Sequence, residues 1–231
     1  MNESELKADA LRRAFLHSEI SRADCIERNR LAWSSFPTAT SEITRRRGSL
    51  TAAYYRELHS TNELYSQNNW LLDDLDTIQA WRPATVTELG AGNCRFSAAI
   101  APLVRKVTAI DWALHPAIEL PPNVARIEGD IRSIPIPPSD VVCSADFLEH
   151  LPPADLPALL KAVSDAARGQ FHVVACYDDG HSHLTIMPPG AWLALFRGIS
   201  PDFELAMVDC RRNDARQVVC TIQRKPGSSN P

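Results

Sequence analysis

The chain has no C-x-x-C pair, no basic surplus and no apolar run of membrane-spanning length. Its six cysteines, Cys25, Cys94, Cys143, Cys176, Cys210 and Cys220, are scattered without a zinc-like spacing. That excludes a zinc-ribbon or dithiol framework, and the thiols read as buried side chains. Cys210 and Cys220 are placed to face one another across a hairpin, where a disulfide is not expected in a reducing compartment. A net charge of -4 over 231 residues argues against a dedicated nucleic-acid binder. Arg45, Arg46 and Arg47 are the local exception, read first as a solvated face and second as a contact for an anionic group. Membrane insertion is not expected. No N-terminal stretch has the apolar run of a signal peptide, so the expected location is the cytoplasm.

A third glycine is also missing, at the place where it matters most. Thr85, Val86 and Thr87 favour a strand, and Glu88-Leu89-Gly90-Ala91-Gly92-Asn93 follows as a tight turn. Gly90 and Gly92 lack a Cβ, so a ligand can lie against bare backbone there. A helix is expected from about Asn93 or Cys94, with free N–H groups aimed at that ligand. The dinucleotide fingerprint G-x-G-x-x-G requires a glycine where this chain has Arg95. Glu88, just before the first glycine, would repel a pyrophosphate and suits a ligand carrying an ammonium and a sulfonium. The next apolar run ends on Asp111, where a carboxylate can accept ribose hydroxyls.

The run from Glu88 to Asn93 resembles the first motif of the class I S-adenosylmethionine-dependent methyltransferases. Ile110-Asp111-Trp112 resembles the family's ribose-binding acidic position, and Ile127-Glu128-Gly129-Asp130-Ile131 its third-strand motif. The segment from Asp140 through Asp146, Phe147 and Glu149 to His150 resembles the fourth strand and its following loop. The resemblance covers roughly residues 81–225 and implies a cofactor site made of Glu88, Gly90, Ala91, Gly92, Asp111, Trp112, Asp130, Ile131, Asp146 and Phe147. In it Glu88 serves the methionine ammonium, directly or through water, Asp111 the ribose, and Asp130 with Ile131 the adenine. The cofactor would be S-adenosylmethionine.

The expected fold is α/β: a Rossmann-like, doubly wound seven-stranded sheet, mostly parallel, with a C-terminal antiparallel hairpin and an N-terminal helical extension. Residues 1–80 form the extension, 81–225 the core and 226–231 a frayed tail. Ala10, Leu11, Ala14, Phe15, Ile20 and Leu31 fit one apolar helical face; residues 49–58 and 62–81 offer two further helices. Strands are expected at 85–89, 107–111, 124–128, 141–144 and 171–176, with helices near 95–103 and 155–168. Pro135, Pro137 and Pro138 exclude a regular helix before the fourth strand. Residues 203–210 and 216–223 form the hairpin.

The methyl acceptor belongs at the carboxyl ends of the strands, framed by the loops after Asp146 and Tyr177 and by the N-terminal helices. His150 is a candidate general base, and His181 and His183 follow in Tyr177-Asp178-Asp179-Gly180-His181-Ser182-His183. Asp178 and Asp179 make that loop suited to a polar acceptor. Two histidines near carboxylates also permit a metal reading, but the missing further ligand leaves the expectation at no metal. Tyr54, Tyr55, Arg56, His59, Tyr65, Asn68, Asn69 and Trp70 crowd aromatic and amide groups just before the core. Only one of Tyr54 and Tyr55 can face inward, and Trp70 reads better as a packing residue. The functional expectation is methyl transfer to a hydroxyl, less readily an amine, of a small polar acceptor such as a sugar or glycan conjugate. A non-catalytic S-adenosylmethionine-binding subunit and an NAD-dependent oxidoreductase are the alternatives. The N-terminal helix could serve a homodimer as readily as a lid.

Overall fold

The computed structural model describes residues 50–62, 65, 67–115, 119–211 and 216–227. The helix expected over residues 10–31, the arginine run 45–47, Cys25, Leu64, the hairpin turn at 212–215 and the end of the tail lie outside the described residues.

Seven strands form one sheet: β1 (Thr85–Leu89), β2 (Lys106–Asp111), β3 (Val124–Glu128), β4 (Ser139–Ala145), β5 (Ala167–Ala175), β6 (Glu204–Cys210) and β7 (Val218–Arg224). Their order is β3-β2-β1-β4-β5-β7-β6. The first five are parallel, while β7 runs antiparallel between β5 and β6. The expected sheet and terminal hairpin are therefore present. The order reverses between β1 and β4, which places a ligand crevice outside their carboxyl ends.

Alternation along the strands divides the core into two layers. Leu89, Ile110, Val142, Val174 and Ile222 face α4 (Leu156–Ala166) and α5 (Pro189–Arg197), where Leu156, Leu159, Leu160 and Val163 repeat at helical spacing beside Trp192 and Phe196. Val86, Val107, Val141, Phe171 and Val173 face the other layer, with Leu71, α2 (Leu75–Ala80) through Ile78, and α3 (Arg95–Ile100) through Phe96 and Ile100. Each fully buried Leu or Phe contributes roughly 1.5–3 kcal/mol, so these layers fix the strand ends that carry the site.

Three local expectations change. The helix expected across residues 62–81 is interrupted at Asn69, whose backbone is extended at φ -148 and ψ 107. Its side-chain oxygen accepts the Leu71 N–H at 3.1 Å, starting a 3-10 turn at Trp70–Asp74 ahead of α2. The fifth strand begins at Ala167, directly after α4, instead of at Phe171. Cys210 pairs with Val218 and Cys220 with Val208, so those two cysteines do not face one another. Cys220 instead lies 3.6 Å from Cys176, sulfur to sulfur, both as free buried thiols. The extension contributes α1 (Ala52–Thr61), started by the Thr51 hydroxyl, which accepts the Tyr54 N–H at 3.1 Å.

Candidate active site

A cavity of about 510 Å³ opens at the carboxyl ends of β1 to β5, within the usual range for a small-molecule site. The Gly90–Gly92 turn, Asp111, Trp112, Ile131 and Phe147 line one part of it. Another part is walled by Tyr55, His150, Tyr177, Asp179, His183 and Arg211. Helix α1 supplies Tyr55 and His59 as the cover.

The turn after β1 has a left-handed backbone at Gly90 (φ 70) and Gly92 (φ 46). A Cβ on Gly90 would meet the Phe147 ring at 2.7–2.9 Å, and one on Gly92 would meet His59 at 3.1 Å. Side chains are excluded from both positions. Several N–H groups of this turn bond within the protein. Ala91 donates to the Ile110 carbonyl, Gly92 to Asp111 Oδ2 at 2.8 Å, and Arg95 to Asn93 Oδ1. Ser97 donates both its N–H and its hydroxyl to Glu88 Oε2, so Glu88 caps α3, while Asn69 Nδ2 donates to Glu88 Oε1. Of the N–H groups expected to point at a ligand, those of Gly92 and Ser97 are thus bound to carboxylates. Burial pushes the Glu88 carboxyl up to about 7, against the pull of Ser97 and Asn69.

Asp111 accepts Ala113 N–H at 2.7 Å through Oδ1, in addition to Gly92 through Oδ2, so it ties the glycine turn to the end of β2. Asp130 lines the cavity, but its carboxylate is gripped by Arg132, which also reaches Asp155 at 3.1 Å. The Arg132 hydrogen bonds hold the Asp130 carboxyl below its ordinary value. Asp146 stands at φ 47 and pairs with the buried Arg211, whose guanidinium lies 4.2 Å over the Trp70 ring.

The histidine loop folds onto this end. Asp179 Oδ1 accepts the N–H groups of His181, Ser182 and His183 at 3.0, 2.8 and 3.0 Å. Burial acts to raise the Asp179 carboxyl, but His183, the Ser182 hydroxyl and these N–H groups together bring it below the usual carboxylate range. His150 and His183 rings lie 5.0 Å apart. His150 Nδ1 is 3.2 Å from the Ser182 carbonyl and 3.4 Å from the Tyr55 hydroxyl, and His183 Nδ1 is 2.5 Å from the Tyr177 carbonyl. Burial, with His183 alongside, pushes the His150 imidazole down to about 4. His181 sits at the rim, 3.2 Å from Asp179 Oδ2 and 3.1 Å from the Tyr54 hydroxyl.

All ten residues assigned to the cofactor line this cavity. So do His150, His181, His183, Tyr55 and Asp179; Tyr54 and Asp178 do not. Tyr54 reaches the site through His181, and Asp178 Oδ1 accepts the Gly180 N–H in the loop's own turn. Trp70 lines the cavity as well as packing. The sequence alone assigns no role to Glu149 or Arg211. Glu149 stood inside the fourth-strand segment beside His150, whereas nothing local marked Arg211, which arrives at the end of β6.

No protein-family model matches the chain, and no curated protein matches it by sequence. Solved structures do. A 1,6-didemethyltoxoflavin-N1-methyltransferase from Burkholderia thailandensis, with 1,6-didemethyltoxoflavin and S-adenosylhomocysteine bound, superposes with a TM-score of 0.60 at 15% identity, over 83% of this chain and 92% of that one. The DhpI complex with S-adenosylhomocysteine gives 0.57 at 18% identity, over 77% and 96%. The N-terminal domain of EvdMO1, in the presence of S-adenosylhomocysteine and D-fucose, gives 0.53 at 14%, over 69% and 84%. The chain has the class I S-adenosylmethionine-dependent methyltransferase fold. In that methyltransferase fold, the cavity lies at the topological switch point between β1 and β4, where the sheet order reverses.

Proposed function

We propose that the chain transfers a methyl group from S-adenosylmethionine to a hydroxyl of a small polar acceptor, with a sugar or glycan conjugate as the first class and an amine as the second. The observation that carries the cofactor choice is the electrostatics of the glycine turn. Ala91, Gly92 and Arg95 already spend their N–H groups within the protein, and Glu88 stands just before the turn, where its carboxylate would repel a dinucleotide's pyrophosphate. A cationic, sulfonium-bearing ligand fits that donor set, and the bare Gly90 and Gly92 backbone lets it approach. Bound there, S-adenosylmethionine supplies an electrophilic methyl group. Asp111 would hold the ribose, Trp112, Ile131 and Phe147 would pack the adenine, and Glu88 would attract the ammonium through its field or a water. Asp130 would reach the adenine amino group with whatever acceptor capacity Arg132 leaves.

The other wall supports a polar acceptor. Tyr55, Tyr177, Asp179, His150 and His183 offer hydroxyl, carboxylate and imidazole groups within one concavity. With Nδ1 of His150 and of His183 donating to backbone carbonyls, Nε2 is the atom at which each imidazole in its neutral form would take up a proton. A departing hydroxyl proton would be taken at this wall by the Nε2 of an imidazole, with His181 at the rim. Burial keeps His150 neutral at neutral pH. Covering by α1 would add orientation, which can remove several kcal/mol of barrier.

The test is transfer of labelled methyl from S-adenosylmethionine to a panel of sugars, glycosides and amines, with products read by mass spectrometry. Methylation of a hydroxyl acceptor supports the proposal. Tight S-adenosylhomocysteine binding with no transfer to any hydroxyl would replace it with the non-catalytic subunit.

A further inference from the structure

We propose that Glu149, His150 and His183 form a binding site for a divalent first-row transition-metal ion at the acceptor end of the cavity. One ligand atom from each residue lies within 4.8 Å of the others. Ligands at about 2.0–2.2 Å from a shared ion sit closer together than that, so loading would draw the three side chains inward by small rotations.

Three features favour a cation over a merely packed cluster. Glu149 is fully buried, and its Oε1 accepts the Ala175 N–H at 3.0 Å, while Oε2 has no hydrogen-bond partner. A buried carboxylate oxygen left this way is costly unless a cation or proton meets it. Arg211, paired with Asp146, acts on Glu149 through its field but makes no hydrogen bond to Oε2. The second feature is orientation. Both imidazoles set Nδ1 against a backbone carbonyl, Ser182 at 3.2 Å and Tyr177 at 2.5 Å. Metal-binding histidines are held in this way, with the tautomer fixed and Nε2 left as the donor. The third is the field around His183 Nε2, which lies 4.0 Å from Glu149 Oε1 and 3.8 Å from Asp179 Oδ2.

Two imidazoles and one carboxylate suit Mn²⁺, Fe²⁺ or Zn²⁺ better than Mg²⁺ or Ca²⁺, which prefer oxygen-only shells. His150 and His183 line the cavity, so remaining coordination positions would open toward the acceptor. This deepens the hydroxyl-acceptor reading and rests on it only for the consequence: a bound hydroxyl would be acidified by the ion and, with His150 and His183 then serving as ligands, its proton would pass to His181 at the rim or to solvent.

Chelator-treated full-length protein should be titrated with MnCl₂ and ZnCl₂ by calorimetry, with Mn²⁺ paramagnetic resonance as a second readout. One saturable equivalent per chain is expected, with nitrogen hyperfine coupling on bound Mn²⁺. His150→Gln, His183→Gln and Glu149→Gln should each weaken binding at least about tenfold, whereas His181→Ala at the rim should bind normally. Circular dichroism reports folding, and either histidine variant suffices if Glu149→Gln fails to fold. Absence of a saturable site in the wild type, or undiminished binding in folded His150→Gln and His183→Gln, would overturn the proposal. S-adenosylhomocysteine affinity measured on the same samples keeps that failure separate from failure of the methyltransferase reading.

Discussion

Replacing Asp111 by Asn probes both tasks that the geometry gives this carboxylate. Its two oxygens accept the Gly92 N–H at 2.8 Å and the Ala113 N–H at 2.7 Å, and it lines the cavity where the ribose would lie. Asparagine preserves the size but leaves one acceptor oxygen and sets an amide NH₂ against a backbone N–H. Losing a charge-assisted hydrogen bond costs about 1.5–3 kcal/mol, which corresponds to a dissociation constant for S-adenosylhomocysteine weaker by roughly 10- to 150-fold. The loosened turn should also lower the melting temperature, by about 2–4 °C for each kcal/mol lost in a chain of this size. Calorimetric titration reads the first effect and a thermal melt the second. A lower melting temperature with affinity within about threefold of wild type would confine Asp111 to shaping the turn. Unchanged affinity and unchanged melting together would refute both roles.

Other perturbations test separate parts of the site. Gly90→Ala combines a left-handed φ of 70 with a Cβ at 2.7–2.9 Å from the Phe147 ring, and should cost about 1–3 kcal/mol in denaturant unfolding; a neutral result would show that the turn relaxes freely. Folding raises the Glu88 carboxyl from 4.5 to about 7, so the folded state binds more protons than the unfolded state across that window. Stability of the ligand-free protein should therefore fall as pH rises from 4.5 through 7, by a contribution on the order of 3 kcal/mol, and Glu88→Gln should flatten that slope. Arg211→Ala leaves the partly exposed Asp146 without its buried cation and should destabilise by about 1–3 kcal/mol; the double change with Asp146→Asn should recover part of the loss, and no recovery would mean the pair is not coupled. His150→Ala and His183→Ala should each lower turnover by about 10²-fold or more at saturating cofactor, with S-adenosylhomocysteine affinity unchanged; full rates would remove both from the chemistry.

The glycine-turn side of the cavity was legible because its determinants are local. Gly90, Gly92, Asp111 and Asp146 each sit at or just past the end of a strand whose burial makes it an apolar run, and Asp130 follows the more exposed edge strand β3. The aromatic and amide crowding of residues 54–70 was visible for the same reason. The histidine-lined side depends on residues distant in sequence. His150 meets His183 and Asp146 meets Arg211 only because β4, β5 and β6 converge at one end of the sheet. The break at Asn69 was hidden by good helical periodicity. It arises from tertiary demand, since the Asn69 amide is drawn to Glu88 and its oxygen to Leu71. Residues 167–170 carry little strand propensity and become β5 through pairing with β4 and β7.

The most direct test of the account is parallel calorimetric titration of the full-length protein with S-adenosylhomocysteine and with NAD. The carboxylates at the glycine turn predict saturable one-to-one binding of S-adenosylhomocysteine and none of NAD. Tight binding of NAD with no response to S-adenosylhomocysteine would contradict it.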